Sequence, residues 1–170
     1  AKPGVEALLY YFKTLDGDKN DIYVLLLNYL AEIHQQLGEY QKAIDINNQL
    51  INNKNHLILK DTCGHVELFN SLGDIYREIG NYDLAILNLK KCKQLYHQLK
   101  CNNSKILAEA DNNLGLCYKM LGLNKEAEDF FNNALTIYEN TGKTKTERYC
   151  ITLNNYGDFY RELGRYGQAS

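Results

Sequence analysis

Four asparagines, Asn28, Asn70, Asn112 and Asn154, recur 42 residues apart. An amide carries both donors and an acceptor, the set needed to bond a peptide backbone whatever its side chains. Asparagine is also a poor helix former, so a complete column of it inside helices asks for a packing role, an exposed position or a ligand. The pair Asp74 and Arg77 returns as Asp158 and Arg161. At i, i+3 spacing each pair makes either an intrahelical ion pair worth a few tenths of a kcal/mol or a guanidinium placed to take a carboxylate in bidentate fashion. Cys63-Gly-His65 has the residue types of a metal or thiol–imidazole site. No second ligand pair has matching spacing and no Asp or Asn is placed to orient the imidazole. The loop from Asp16 to Asp21 resembles the start of a calcium loop, but Asp21 stands where the turn glycine belongs and Leu27 where the bidentate glutamate belongs. The histidines (His34, His56, His65, His97) fall in unrelated registers, and no nucleophile, phosphate loop or acid–base pair is present. The chain reads as a non-enzyme without metal or cofactor.

Composition narrows the partners. With 45% hydrophobic and 24% charged residues over 170 positions, the chain is long enough to bury a substantial core. A formal net charge of −2 with no basic stripe argues against nucleic acid. No apolar run approaches the roughly 18 residues of a membrane span, so no membrane contact is expected. Five cysteines without a C-x-x-C pair read as reduced thiols in a cytoplasmic compartment. Cys92 and Cys117 stand where other copies of the pattern have Ala134 and Ile75, as small packing residues do.

What positions the asparagines is a repeat. The stretch Asn70-Ser-Leu-Gly-Asp-Ile-Tyr-Arg-Glu-Ile-Gly-Asn-Tyr82 has counterparts beginning at Asn28, Asn112 and Asn154, which signals a repeat architecture. A capping-type residue recurs at Asn20, Thr62, Ser104 and Thr146 to start the first helix of each copy. A glycine recurs at Gly38, Gly80, Gly122 and Gly164, where a left-handed residue ends that helix. The small column Ala31, Gly73, Gly115 and Gly157 faces the alanine column Ala43, Ala85, Ala127 and Ala169, so each copy should be an antiparallel hairpin closed around small residues. Leu30, Leu72, Leu114 and Tyr156 and the rings of His34, Tyr76, Tyr118 and Tyr160 fill the surroundings. The expected units are residues 5–15 as the second helix of a preceding repeat, then 20–61, 62–103, 104–145 and a shortened 146–170. Neither end shows a polar capping helix, so a segment of a longer array is expected, with self-association through its ends.

The combination of Leu-Gly-x-x-Tyr, the Gly-x-Tyr turn and the later alanine resembles the tetratricopeptide repeat over nearly all of the chain. The resemblance implies an all-α fold, a right-handed α-solenoid of antiparallel helix pairs. The usual repeat has about 34 residues, so each pair here carries roughly two extra turns. Long repeats of this kind look like those of kinesin light chains and Pins-type adaptors. Leu153-Asn-Asn155 and Asn112-Asn-Leu-Gly115 are the nearest matches to the kinesin-light-chain pattern; the His-Pro of its inter-repeat loop is missing, and Tyr29 and Ser71 replace its second asparagine.

Tetratricopeptide arrays use the inner face of the first helices as a concave groove. Carried over by position, this puts Asn28, Asn70, Asn112 and Asn154 in the groove, with Asn113 and Asn155, Asp74 and Asp158, and Gln35, Arg77, Lys119 and Arg161. Glu32, Glu67 and Glu109 point the same way, giving mixed charge. With first helices on the order of 10 Å apart and an extended peptide rising about 3.3 Å per residue, one asparagine would meet every third peptide unit. The implied function is a scaffold or adaptor holding a peptide segment of a protein partner. A ligand- or peptide-sensing regulatory module of a larger, bacterial-type signalling or transcription protein is the alternative.

Overall fold

A computed structural model describes residues 2–16, 21–52 and 63–164. Eight helices account for almost all of these: α1 (Lys2–Asp16), α2 (Asp21–Gln36), α3 (Tyr40–Asn52), α4 (Gly64–Glu78), α5 (Tyr82–Gln98), α6 (Ser104–Met120), α7 (Asn124–Asn140) and α8 (Glu147–Glu162). Helices α2 and α3, α4 and α5, and α6 and α7 form antiparallel pairs. α1 lies against α2, and α8 closes on α6 and α7. Stacking the pairs makes an α-solenoid.

The glycine turns form as expected. Gly38, Gly80, Gly122 and Gly164 all have φ between 71° and 80°, a region that penalises any Cβ. At Gly80 the turn is sealed by its own N–H on the Arg77 carbonyl (3.0 Å) and by the Asn81 N–H on the Tyr76 carbonyl (2.8 Å), the bonding of a Schellman motif. The second turn of the third repeat reuses the device at Gly142, whereas Lys100 adopts φ 51° in the turn before α6.

The start signals fared less evenly. Thr146 caps α8, its side chain accepting the Tyr149 N–H. Ser104 does not cap α6: the cap position is Asn103, without a side-chain bond, and the Ser104 hydroxyl instead accepts from Lys143 Nζ at 3.2 Å. The helix begins one residue early because the Ile106 N–H already reaches the Asn103 carbonyl. Asn20, Thr62, Ala169, His56 and most of the Asp16–Asp21 loop lie outside the described residues.

Each core layer is shared between successive pairs. Val5 and Leu9 of α1 join Tyr23, Val24, Leu27 and Leu30 of α2, with Leu50 and Leu68 beyond. Ala43 and Ile44 meet Leu72 and Ile75. Val66, Ala85, Leu89 and Cys92 continue into Ile106, Ala110, Leu114 and Cys117, and Ala127 and Phe131 into Phe159 and Tyr160. Cys92 and Cys117 are fully buried, as packing residues should be. The small column needs one correction. A Cβ on Gly73 would strike Leu89 at 2.4 Å, and one on Gly115 would strike the Phe131 ring at 2.9 Å. The space is therefore filled by the residue one turn beyond the alanine, not left for backbone approach alone. Phe131 is fully buried, with Tyr156 at 5.5 Å and Phe159 at 5.8 Å between ring centroids, so it has nowhere to go. Gly115→Ala is expected to lose about 1–3 kcal/mol through overpacking, despite gaining up to about 1 kcal/mol of helix propensity; a urea titration showing net stabilisation would contradict this packing.

A second correction concerns the thiols. Cys63 and Cys101 form a disulfide, with Cα atoms 5.9 Å apart. It ties the start of α4 to the turn after α5, so the argument for a reduced compartment lapses. Among the described residues no helix is long and apolar enough to cross a membrane.

Candidate functional site: a polar hollow across four helices

The inner faces of α2, α4, α6 and α8 enclose a hollow of about 750 Å³. Asn28, Gln35, Asn70, Asp74, Arg77, Asn112, Asn113 and Asn155 line it. Asn154 does not; it is exposed and absent from the lining. Lys119, Asp158 and Arg161 also lie outside. Lys119 bonds Glu162 at 2.6 Å, and Arg161 is spent on Asp158 at 2.6 Å on an exposed edge.

A continuous polar ladder crosses the floor. Gln35 Nε2 donates to Asp74 Oδ2 (2.9 Å), while Asp74 Oδ1 accepts from Arg77 Nη2 (2.6 Å) and Asn113 Nδ2 (3.3 Å). Asn112 Nδ2 donates to Asn113 Oδ1 (3.3 Å), and Asn112 Oδ1 accepts from Asn155 Nδ2 (2.9 Å). Three of these bonds, Gln35 to Asp74, Asn113 to Asp74 and Asn155 to Asn112, run from one pair to the next, so Asp74, Asn112, Asn113 and Asn155 register the array as well as lining it. The asparagine column thus divides. Asn112 is buried and bonded on both sides, Asn154 faces solvent, and Asn70 keeps a buried Oδ1 with no donor. A buried acceptor left unmade costs about 1–3 kcal/mol, so this atom wants a partner. Arg77 Nε is likewise buried and unbonded, although its Nη2 holds Asp74; the aspartate–arginine pairs are intrahelical ion pairs in this structure.

Electrostatics vary along the hollow. Glu109 has cations at hand: Arg148 Nε at 3.1 Å and Lys105 Nζ at 3.8 Å. Glu67 and Glu32 make no ion pair among the described residues. Glu67 opens onto the hollow, yet partial burial between the walls raises its pKa, with Glu32 and Glu109 pushing the same way and Lys105 against. Glu78 is raised too, by burial and then Asp74, against Arg77 and hydrogen bonds from Gln35 and Tyr40. Beneath the α6–α8 end, the Tyr138 hydroxyl is fully enclosed; burial and then Glu109 push its pKa up to about 12. Thr152 lies near enough to influence that hydroxyl, but its own proton goes to the Arg148 carbonyl at 2.9 Å, and no bond of ordinary geometry joins the two.

Sequence reasoning missed Lys105, Tyr138, Arg148 and Thr152. Helical spacing could have found three of them: Lys105 lies seven residues before Asn112, Arg148 seven before Asn155, and Thr152 three before it, so all share the faces of those amides. Tyr138 belongs to a second helix and had no such signal. No group of three or more His, Cys, Asp or Glu among the described residues could hold a metal ion.

Comparison with known proteins agrees with this architecture. Profiles described as tetratricopeptide repeat match residues 66–98 and 106–170. A curated Arabidopsis thaliana protein, kinesin light chain-related 2, is 24% identical over 154 residues, covering 88% of this chain and 22% of that protein. The chain therefore spans about a fifth of that relative's length. Among solved structures, BtubC (BKLC) from P. vanneervenii superposes with a TM-score of 0.71 at 18% identity, over 97% of this chain and 66% of that one. MamA does so with 0.64 at 21%, over 99% and 84%. Repeats, turns, stacked pairs and profile matches all lead to one assignment: the chain belongs to the tetratricopeptide repeat family, whose arrays serve as scaffolds for protein–protein interaction.

Proposed function

We propose that this chain is a non-enzymatic adaptor that holds a segment of a partner polypeptide in the hollow across α2, α4, α6 and α8. The observation that carries the reading is the buried, donorless Oδ1 of Asn70, set in a hollow lined by amides and side-chain ions. A backbone N–H of an extended segment is the complement of that oxygen. The neighbouring amides that already bond one another provide a fixed floor, so little ordering is needed when the segment binds.

On this reading Asn70 faces the ligand and Asn112 is structural. Asn70→Ala removes no hydrogen bond within the protein and places a better helix former on α4. Its melting temperature should hold or rise slightly, while affinity for a hollow-bound peptide should fall by about 0.5–1.5 kcal/mol. Asn112→Ala breaks the inter-helix bond from Asn155 and the bond to its neighbour Asn113, and strands Asn155, so its melting temperature should fall. Peptides selected from a random phage-displayed library on the wild-type protein supply the ligand, and calorimetric titration supplies the affinities. A stable Asn70→Ala protein that binds every selected peptide as tightly as wild type would move the binding surface elsewhere.

A further inference from the structure

Three carboxylates from successive repeats line the hollow, Glu32 from α2, Glu67 from α4 and Glu109 from α6, and both Glu32 and Glu109 are near enough to act on Glu67. Like charges gathered in a partly enclosed space raise the energy of that space unless cations balance them. Balance is supplied for Glu109 alone, by Arg148 and Lys105. Asp74 has Arg77. Glu32 and Glu67 are left with no ion pair among the described residues. The Lys105 ammonium that acts on Glu67 is already shared with Glu109, and the two neighbouring glutamates oppose it.

The unpaired carboxylates do not stand alone. Asn70 is one turn along α4 from Glu67, and Asn28 one turn from Glu32, so each glutamate shares a helix face with a hollow-lining amide. The Asn70 Oδ1 is buried and without a donor. At the far wall the Tyr138 side chain is 1% exposed, and its hydroxyl is unbonded. The hollow therefore presents two carboxylates without an ion pair among the described residues and one buried amide oxygen without a donor, all acceptors. A ligand group with several N–H donors and a positive charge satisfies all three at once.

We infer that the partner segment carries a lysine or arginine whose cationic head lodges between Glu32 and Glu67, with Asn70 Oδ1 accepting from it or from the adjoining backbone N–H. This rests on the hollow being a peptide site and adds the sign of the partner. The hollow selects basic segments and rejects acidic ones, because a carboxylate there would face Glu32, Glu67 and Glu109 together.

The test uses the whole chain and three phage-displayed dodecapeptide pools: one enriched in Lys and Arg, one neutral, and one enriched in Asp and Glu. The expected result is enrichment from the basic pool alone. Selected peptides should bind about tenfold more weakly to Glu67→Gln and to Glu32→Gln, and more weakly as salt rises. Both changes are close in shape and lie on water-facing side chains, so unchanged melting curves verify the fold. Glu67→Lys should turn the preference toward the acidic pool. Enrichment without charge bias, with affinities moved by Asn70→Ala but not by Glu67→Gln, would overturn the basic-segment inference and leave the peptide site standing. Failure of every pool to enrich would overturn both. Spermine or arginine amide binding as tightly as the selected peptides, and displacing them, would make this a site for small cations and overturn the partner assignment.

Discussion

Lys93→Met should destabilise the protein by about 3–5 kcal/mol, the usual loss when one member of a buried ion pair is removed. Lys93 on α5 bonds Asp111 on α6, and Asp111 is 2% exposed. The Lys93 ammonium also lies 5.1 Å from the centre of the Phe130 ring. Burial raises the Asp111 pKa above the ordinary carboxylate range even with Lys93 pulling it down. Without the lysine only the smaller influence of His97 opposes burial, and the folded-state pKa climbs further. A carboxyl whose pKa is higher folded than unfolded contributes stability that is complete below the unfolded pKa and is lost as pH rises through the folded one. The variant should therefore come closest to wild type near pH 4 and fall furthest behind near pH 7, in urea titrations at the two values. The other interfaces show a remedy. At the registers of Lys93 and Asp111 the preceding repeat has Ile51 and Phe69, and the following one Leu135 and Leu153. Lys93→Leu with Asp111→Leu installs the residue types the following repeat carries at these registers and should recover most of the loss. A single Lys93→Met change of under about 1 kcal/mol would mean that Asp111 reaches solvent or another donor.

That ion pair illustrates what could be read in advance. Features that act within one hairpin were legible: a glycine with positive φ is needed wherever the chain reverses after the first helix, and the 42-residue recurrence repeats that need at Gly38, Gly80, Gly122 and Gly164. The buried small residues Cys92 and Cys117 followed from register as well. Features that depend on how one pair sits on the next were not legible. Asn113 donates to Asp74 and Asn155 to Asn112 across 39 and 43 residues, and only the stacking of α4, α6 and α8 brings them within reach. Within a column identical in sequence, Asn112 is therefore buried, Asn70 keeps a donorless oxygen and Asn154 is exposed. Asn112 meets a partner on each side, whereas Asn154 has turned out of the hollow and left its neighbour Asn155 to make the inter-helix bond. The missed Ser104 cap has the same origin, because its hydroxyl is engaged by Lys143 from the end of the paired helix.

Reducing the Cys63–Cys101 disulfide should lower stability by about 4 kcal/mol, the loop-closure value for the separation of 38 residues. For a domain of this size that corresponds to a melting-temperature drop on the order of 10 °C. The bond closes the α4–α5 hairpin at the end opposite the Gly80 turn, joining the residue before α4 to the turn in which Lys100 has positive φ. In the next repeat the same registers hold Lys105 and Lys143, and that end carries the Lys143-to-Ser104 hydrogen bond in place of a disulfide. The repeat with the covalent tie should thus lose most on reduction, and the loss should reach the hollow, because Glu67 sits one turn from Cys63. Native alkylation reads the thiols directly. Cys150 is exposed and should react at once. Burial pushes the Cys92 and Cys117 thiols up to about 12 and about 11, so at neutral pH they hold almost no reactive thiolate. Mass spectrometry should find one alkylated cysteine before reductant and three after it, with Cys63 and Cys101 as the additions. Cys63→Ser should reproduce the lowered melting temperature and make it insensitive to reductant. If Cys63 and Cys101 are alkylated in the untreated protein and its melting curve ignores reductant, the tie is absent in solution and the α4–α5 hairpin is held by its apolar layer alone.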